Sequence, residues 1–382
     1  VYLIARTHVL FQLAPPVQLV VGIIGTAGVL VAGLSALTQR NIKRVLAYST
    51  MSQLGYMFLA LGIGAWSGAI FHLVTHAFFK SLLFLGAGVL ILAMNHEHDI
   101  FAMGGLARKS PFTFWMFLIA SLTLAAIPPT TAGFSSKDLI LAQAWQAGGA
   151  GRVFWALGLL GVFVTSVYIF RLVFIVFAGP PRTEVHGHGH AAGKDGSQAG
   201  AVMGIPLAIL AVLCLGGGFL AFPHDMGGSP YLLSFLNTVL PSTGGETPAR
   251  TEWILQVASE AASLLGIPVA WLVYRRSRAR GGLVSAAAAP TGSAARPNAV
   301  ARFLQSGWGF DWLYDRLFVR PFVWISRINA RDVVDRVVAD GVGGLLMLLS
   351  RAFRWTQNGK VRWYAAGLAL GAVLIVAAVV LL

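Results

Sequence analysis

The chain has 382 residues, 57% of them hydrophobic and only 11% charged, with a mean hydropathy of +0.73. Soluble proteins carry roughly 25% charged residues, so this chain cannot cover a water-facing surface; two or three soluble domains are excluded and a polytopic membrane protein is indicated. The formal charge of +14 does not point to nucleic acid, because 15 of the 28 Lys and Arg follow residue 270 and most others flank apolar runs, as membrane topology signals do.

In chain order, residues 1–16 begin VYLIARTHVL and read as the end of an apolar helix followed by a loop. No signal-peptide pattern precedes them, and the sequence is expected to lack an N-terminal part. A bilayer crossing needs about 20 apolar residues. Eight runs qualify, over 17–37, 42–63, 67–94, 112–146, 153–178, 201–222, 253–275 and 361–382. The fourth contains Pro128, Pro129 and Gly133; the prolines remove backbone donors and clash with the preceding turn, which predicts a break near mid-membrane. Such a break is tolerated only where protein or a water-filled cavity satisfies the freed carbonyls. The predicted fold is all-α and polytopic, with about eight transmembrane helices, one of them broken, and a long amphipathic lateral helix.

Residues 179–200 are rich in Gly and His, and 276–301 in Ala, Gly, Ser and Pro; both read as flexible connections, separated by the two spans of 201–275. The stretch 302–357 carries Val334, Val338, Val342, Leu345, Leu349 and Phe353 at helical spacing. Arg331, Asp332, Asp335, Arg336 and Asp340 fall largely off that stripe. This predicts an amphipathic helix interrupted by Gly341, Gly343 and Gly344, too polar to cross the bilayer and suited to lying along it or along other subunits. Residues 358–382 form a final anchoring span, with Trp363 and Tyr364 in the interfacial belt. By parity, Arg40, Lys43, Arg44, Arg108, Lys109, Arg182, Lys194, Arg275, Arg276, Arg278 and Arg280 share one side, which is therefore placed in the cytoplasm.

Polar residues within the spans carry the chemistry. His72, His76 and Lys80 stand at i, i+4 and i+8, on one helical face. A Lys near the bilayer centre costs roughly 3 kcal/mol or more to insert, and His titrates near neutrality; together they suit a proton relay. The alternatives are a snorkelling lysine and histidines that only bond neighbouring helices. Lys137 and Asp138 follow the break, where a charged pair beside a half-helix suits an ion pathway; Lys137 as a mere anchor is the competing view. Tyr48, Ser49, Ser52 and Tyr56 either carry a water chain or bond between helices. Lys43 is either part of a path or a topology anchor.

The His tract at 186–190 has no fixed ligand geometry, and residues 96–99 read as solvated surface. Asp138 reads as the one carboxylate near the membrane interior, which favours protons over sodium, since hard cations prefer oxygen ligands. Cys214 reads as a small buried hydrophobe; one Cys cannot hold an iron–sulfur cluster. No flavin, nicotinamide or metal site is apparent.

The runs NIKRVLAYSTMSQLGYMFLALG (41–62), AIFHLVTHAFFKSLLFLGAG (69–88) and TAGFSSKDLIL (131–141) resemble the L-type, antiporter-like membrane subunits of bacterial NADH:quinone oxidoreductase, respiratory complex I. WGFDWLYDRLFVRPF (308–322) and NGKVRWYAAG (358–367) resemble the same subunits. The resemblance implies that 17–178 is a five-helix repeat forming half of a proton channel. It maps a central lysine to Lys80, relay histidines to His72 and His76, an exit lysine to Lys137 beside Asp138, and a connecting lysine to Lys43. It also implies a lateral helix after residue 302 lying against neighbouring membrane-arm subunits on the cytoplasmic side, in a multi-pass protein of the bacterial inner membrane. NADH, FMN, iron–sulfur clusters and quinone would belong to other subunits, leaving no cofactor on this chain. A sodium/proton antiporter subunit and a purely structural clamp are the rival expectations.

Overall fold

The structure is a computed structural model that describes residues 1–128, 131–179, 200–221, 231–241, 248–280, 299–329, 340–356 and 359–381. The 179–200 and 276–301 connections and the His tract at 186–190 fall largely or wholly outside these residues, as do Pro129 and the stripe positions Val334 and Val338 with their charged neighbours 331–336. The fold is all-α, with no strand among the described residues. It divides into two units, Val1–Trp308 and Gly309–Leu382.

In the first unit, α1 spans Pro15–Ala36, α2 Ile42–Gly62, α3 Trp66–Ala93, α4 Pro111–Leu124, α5 Ala132–Gln146, α6 Gly149–Phe177, α7 Ala201–Gly216 and α8 Ala249–Arg280. Proline at the first turn starts α1 and α4, where its missing N–H is no loss. α2 starts at Asn41, whose side-chain oxygen accepts from the Lys43 amide at 2.9 Å. Six of the described helices are long and apolar enough to cross a membrane by length and composition: those over Pro15–Ala36, Trp66–Ala93, Gly149–Phe177, Ala201–Leu220, Arg250–Arg276 and Val361–Leu381. α2 is not among them, being 21 residues long but loaded with Ser49, Ser52, Gln53 and two basic residues. Ser49, Ser52 and Gln53 are buried against other helices instead of facing lipid. The fourth predicted span is the split pair α4 and α5.

The break begins before the prolines and includes Pro128. α4 ends at Leu124, and Ala126 adopts φ 60°, the left-handed conformation. The Ile127 amide then reaches back to the Leu122 carbonyl at 3.0 Å, and the Ala126 amide to Thr123 at 3.1 Å, closing a Schellman-type end. Pro128 follows and prevents the helix from resuming. Thr131 restarts it, its hydroxyl donating to the Ile127 carbonyl at 2.9 Å while capping the amide of Phe134.

Helices α1 and α2 pack with backbones nearly in contact. A Cβ on Gly25 would collide with the backbone of Leu59, and one on Gly55 would lie 2.6 Å from the Val29 amide nitrogen. Small residues at such crossings replace the hydrophobic drive that lipid does not supply. Two cores fill the unit. One includes Ile42, Leu46, Phe79, Leu83 and Phe117, the other Val29, Tyr56, Leu59, Trp66 and Phe154.

The loop at 96–99 is not simply solvated surface. Asp99 accepts from Arg40 Nε at 3.1 Å and from its Nη2 at 2.5 Å, and the Ile100 amide donates to the Arg40 carbonyl at 2.9 Å. Arg171 of α6, buried, donates through both terminal nitrogens to the Gln39 carbonyl at 3.3 Å. Arg40 and Arg171 each sit over the Phe101 ring, at 5.6 and 5.7 Å. The Arg40–Asp99 pair is partly exposed, so it stabilises modestly. A double-mutant cycle with Arg40→Ala and Asp99→Ala, read by thermal unfolding of the purified protein in detergent, is expected to give a coupling of about 1 kcal/mol or less; a value above about 2 kcal/mol would show a structural weight that this exposure does not account for.

In the second unit, a π-turn over Asp315–Val319 leads into α9, Arg320–Asn329, and Arg320 pairs with Asp315 at 2.7 Å. α10 spans Gly341–Thr356 and α11 Val361–Leu381. Gly341, Gly343 and Gly344 fall at the start of α10, and residues 330–339 before them lie outside the described residues. Val342, Leu345, Leu349 and Phe353 recur at three- and four-residue steps along α10, and the side chains of α11 are almost all exposed, which suits a helix whose partner is lipid.

Candidate functional site

Helix α3 is 28 residues long, about 42 Å at 1.5 Å per residue, and Lys80 lies at its middle. His72, His76 and Lys80 follow one stripe and are all buried, at 0%, 8% and 5% exposure. The stripe runs about 12 Å along the helix. It faces the junction of the two cores, with Phe79 belonging to one and Tyr56 to the other.

At one end, Lys80 Nζ donates to the carbonyl oxygen of Leu46 on α2 at 3.1 Å. The same oxygen accepts from Thr50 Oγ1 at 2.9 Å. The His76 ring stands 6.3 Å from that of His72, and Phe79 meets His76 edge-on at 5.3 Å. His72 Nδ1 lies 2.9 Å from Ser136 Oγ of α5, which also receives Thr75 Oγ1 at 3.0 Å and reaches the Ala132 carbonyl at 2.9 Å. Which of His72 Nδ1 and Ser136 Oγ donates in this pair is set by the tautomer of the histidine. The Nε2 atoms of both histidines are buried without a hydrogen-bond partner among the described residues.

At the other end, the helix break creates a cation site. The last carbonyls of α4 have no partner within their helix and carry its negative dipole end. Lys137 Nζ, fully buried, donates to one of them, Leu124 O, and stands 5.7 Å from the centre of the Tyr56 ring. Ser263 of α8 donates to the next, Ala125 O, at 2.5 Å. The break and the lysine are thus one device: the discontinuity supplies the acceptor that lets an ammonium be held inside the bundle. Asp138 Oδ1 accepts from Ser259 Oγ of α8 at 2.5 Å, while Oδ2 is buried with no hydrogen bond among the described residues. The Tyr56 ring lies 6.2 Å from the His72 ring, so this side chain neighbours both His72 and Lys137.

The remaining sequence-predicted residues are placed differently. Ser49 Oγ pairs with Tyr168 OH at 2.6 Å, Ser52 donates to the Val29 carbonyl at 3.0 Å, and Tyr56 OH donates to the Gly158 carbonyl at 2.7 Å. All three hydroxyls are engaged between helices. Tyr48 is half-buried against the core. Lys43 is exposed at the start of α2, one turn before Leu46, and is not part of the buried group. Pro128 and Gly133 flank the junction of α4 and α5; Pro129 is outside the described residues.

Several site members were not singled out from the sequence. Ser136 and Thr75 bridge α3 to α5, and Ser259 and Ser263 reach in from α8. Glu260, also on α8, corrects the reading of Asp138 as the one carboxylate near the membrane interior: it lies within the seventh predicted span and is half-buried. The spacing Glu252, Gln256, Glu260 in the sequence was the available signal.

No group of three or more His, Cys, Asp or Glu that could hold a metal occurs among the described residues. Arranged in space, the titratable groups form a path from Lys80 through His76 and His72 to Lys137 and Asp138, wrapped by apolar side chains. Such an arrangement can pass protons; it offers no electron carrier.

The family model described as NADH:quinone oxidoreductase/Mrp antiporter, transmembrane, matches residues 1–165. NADH-quinone oxidoreductase subunit L of Pseudomonas aeruginosa is 45% identical over 390 residues, covering 100% of this chain and 57% of that protein. The protein of that name from Escherichia coli is 41% identical over 387 residues, again covering 100% and 57%. The chain thus spans somewhat more than half the length of these relatives. Among solved structures, the membrane-bound sulfane sulfur reductase, an archaeal respiratory membrane complex, contains a chain with TM-score 0.52 and 23% identity, covering 94% of this chain and 56% of that one, a likeness of fold.

Proposed function

We propose that this chain, which belongs to the NADH:quinone oxidoreductase/Mrp antiporter transmembrane family, is a proton-translocating membrane-arm part of NADH:quinone oxidoreductase, with quinone reduction occurring on other subunits. The observation that carries the reading is the buried stripe His72–His76–Lys80 joined through Ser136 and Tyr56 to Lys137 at the helix break. Three buried titratable side chains in line, on one helix in a bilayer, are expensive without a use.

In this reading Lys80 is the central proton holder and His76 and His72 carry the proton along α3. Lys137 passes it outward, with Asp138 as its companion carboxylate. Lys43, exposed one turn before the carbonyl that holds Lys80, would collect protons at the cytoplasmic mouth, and Tyr48, Ser49, Ser52 and Tyr56 would line the route. Pro128, Pro129 and Gly133 shape the break. The span 17–178 would act as one channel half, 201–275 as two further crossings, 302–357 as the lateral element against neighbouring subunits and 358–382 as its anchor. The protein would sit in the bacterial inner membrane with the basic loops and lateral element cytoplasmic. NADH, FMN, iron–sulfur clusters and quinone would reside elsewhere in the complex.

Protons, not sodium, fit the site, because lysines and histidines dominate it and a hard cation wants a cage of oxygens. Inverted membrane vesicles holding the full-length subunit in its assembled complex are expected to acidify on NADH addition at an unchanged rate when sodium is replaced by potassium. A rate that falls about tenfold without sodium would move the assignment to sodium/proton exchange. Unchanged acidification in vesicles whose complex lacks the subunit would leave only a clamping role.

A further inference from the structure

Helix α8 lies beyond the five crossings that hold the buried stripe, yet it completes the far end of the path. Ser263 and Ser259 reach from it to Ala125 O and to Asp138, each at 2.5 Å. Three further polar residues, Glu252, Gln256 and Glu260, stand at i, i+4 and i+8 and so line one face of α8. Gln256 Nε2 donates to Glu260 Oε1 at 3.2 Å, which fixes that carboxylate in place. Glu260 directly follows Ser259, whose hydroxyl bonds Asp138, and Asp138 keeps one buried oxygen without a hydrogen bond among the described residues. Exposure rises along the face: Glu260 and Gln256 are half-buried and Glu252 is exposed, close to the start of α8.

We propose that Glu260 is the proton-accepting carboxylate that follows Lys137 and Asp138 and delivers protons along the α8 face, past Glu252, to the membrane surface at the start of α8. The proposal rests on the proton-translocating reading above. In the step, the Lys137–Asp138 pair gives up one proton, the Glu260 carboxylate gains it, and Glu260 returns to the carboxylate as the proton leaves for water near Glu252. Gln256 neither gains nor loses a net proton; it holds Glu260 in position. The feature that distinguishes this from a merely buried polar patch is direction. The carboxylate nearest the site is fixed by a side-chain hydrogen bond, and the next one on the same face is in contact with solvent. A carboxylate placed within an apolar crossing is costly unless it is used.

The test uses the full-length subunit in its assembled complex, in inverted vesicles, where delivered protons accumulate inside. Glu260→Gln, Glu260→Asp and, as a reference, Lys80→Met are compared by acidification per NADH oxidised and by the dependence of turnover on interior pH. Glu260→Gln is expected to lower acidification per NADH about fivefold and to flatten the interior-pH dependence. Glu260→Asp, still able to take a proton, is expected to restore at least half of both. Wild-type acidification and pH dependence in Glu260→Gln would overturn the proposal, as would equal loss in the Gln and Asp variants. If Lys80→Met fails to pump while Glu260→Gln is normal, only the role of Glu260 falls. If Lys80→Met also pumps normally, the translocation reading falls with it.

Discussion

Lys80→Met, placed in the full-length subunit within its complex, is expected to cut NADH-driven acidification of inverted vesicles about tenfold or more and to slow coupled NADH oxidation with it. Methionine matches the lysine stem in length and volume and lacks the ammonium. The structure indicates why this exchange is clean. Leu46 O, which loses its bond from Lys80, keeps the one from Thr50 at 2.9 Å, so no buried carbonyl is orphaned. Removing a buried cation also removes a desolvation penalty, so the subunit should assemble normally. Acidification and oxidation at wild-type levels would make Lys80 a structural lysine and end the relay assignment.

The spacing of His72, His76 and Lys80 was legible because a helix turns a four-residue repeat into a stripe, whatever surrounds it. Their partners were not legible. Ser136 meets His72 across 64 residues of chain and Ser259 meets Asp138 across 121; nothing local to either sequence announces the meeting. The hydroxyls of α2 show the same limit. Their periodicity was plain, but which neighbours they face decided that Ser49, Ser52 and Tyr56 bond to Tyr168, Val29 and Gly158. The broken helix was foreseen from its prolines; the residue at which its first half stops was not. A left-handed alanine at 126 stops α4, and alanine carries no sequence signal for that conformation. The six helices long and apolar enough to cross a membrane followed from hydropathy alone, while α2 carries a buried polar face that hydropathy scores poorly.

Gly133→Val is expected to lower the thermal unfolding midpoint of the purified subunit in detergent by several degrees, equivalent to about 2–3 kcal/mol, and to reduce pumping with it. Gly133 sits in the first turn of α5, where a Cβ would collide with the Thr123 carbonyl. The obstructing atom is backbone, so no side chain can swing aside. The only relief is to push α5 away from the end of α4. That movement carries Lys137 off the Leu124 carbonyl and strains the Ser263 bond to Ala125. Alanine, with one added methyl, should fall between glycine and valine. An unchanged midpoint for the valine variant would mean that the α4–α5 junction yields easily, and that the acceptor of Lys137 is not held in place by packing.

The glycine-lined crossing of α1 and α2 has a mechanical consequence. Two helices whose backbones touch at Gly25 and Gly55 are keyed together like meshed teeth, since sliding by one residue would bring a side chain against a main chain. The carbonyl that holds Lys80 belongs to α2, so it is mounted on a rigid strut. On the proton-translocating reading proposed above, a channel half built this way would have no piston: energy arriving from a distant reaction would have to travel as a change of charge and hydrogen bonding among side chains, not as a sliding of these two helices.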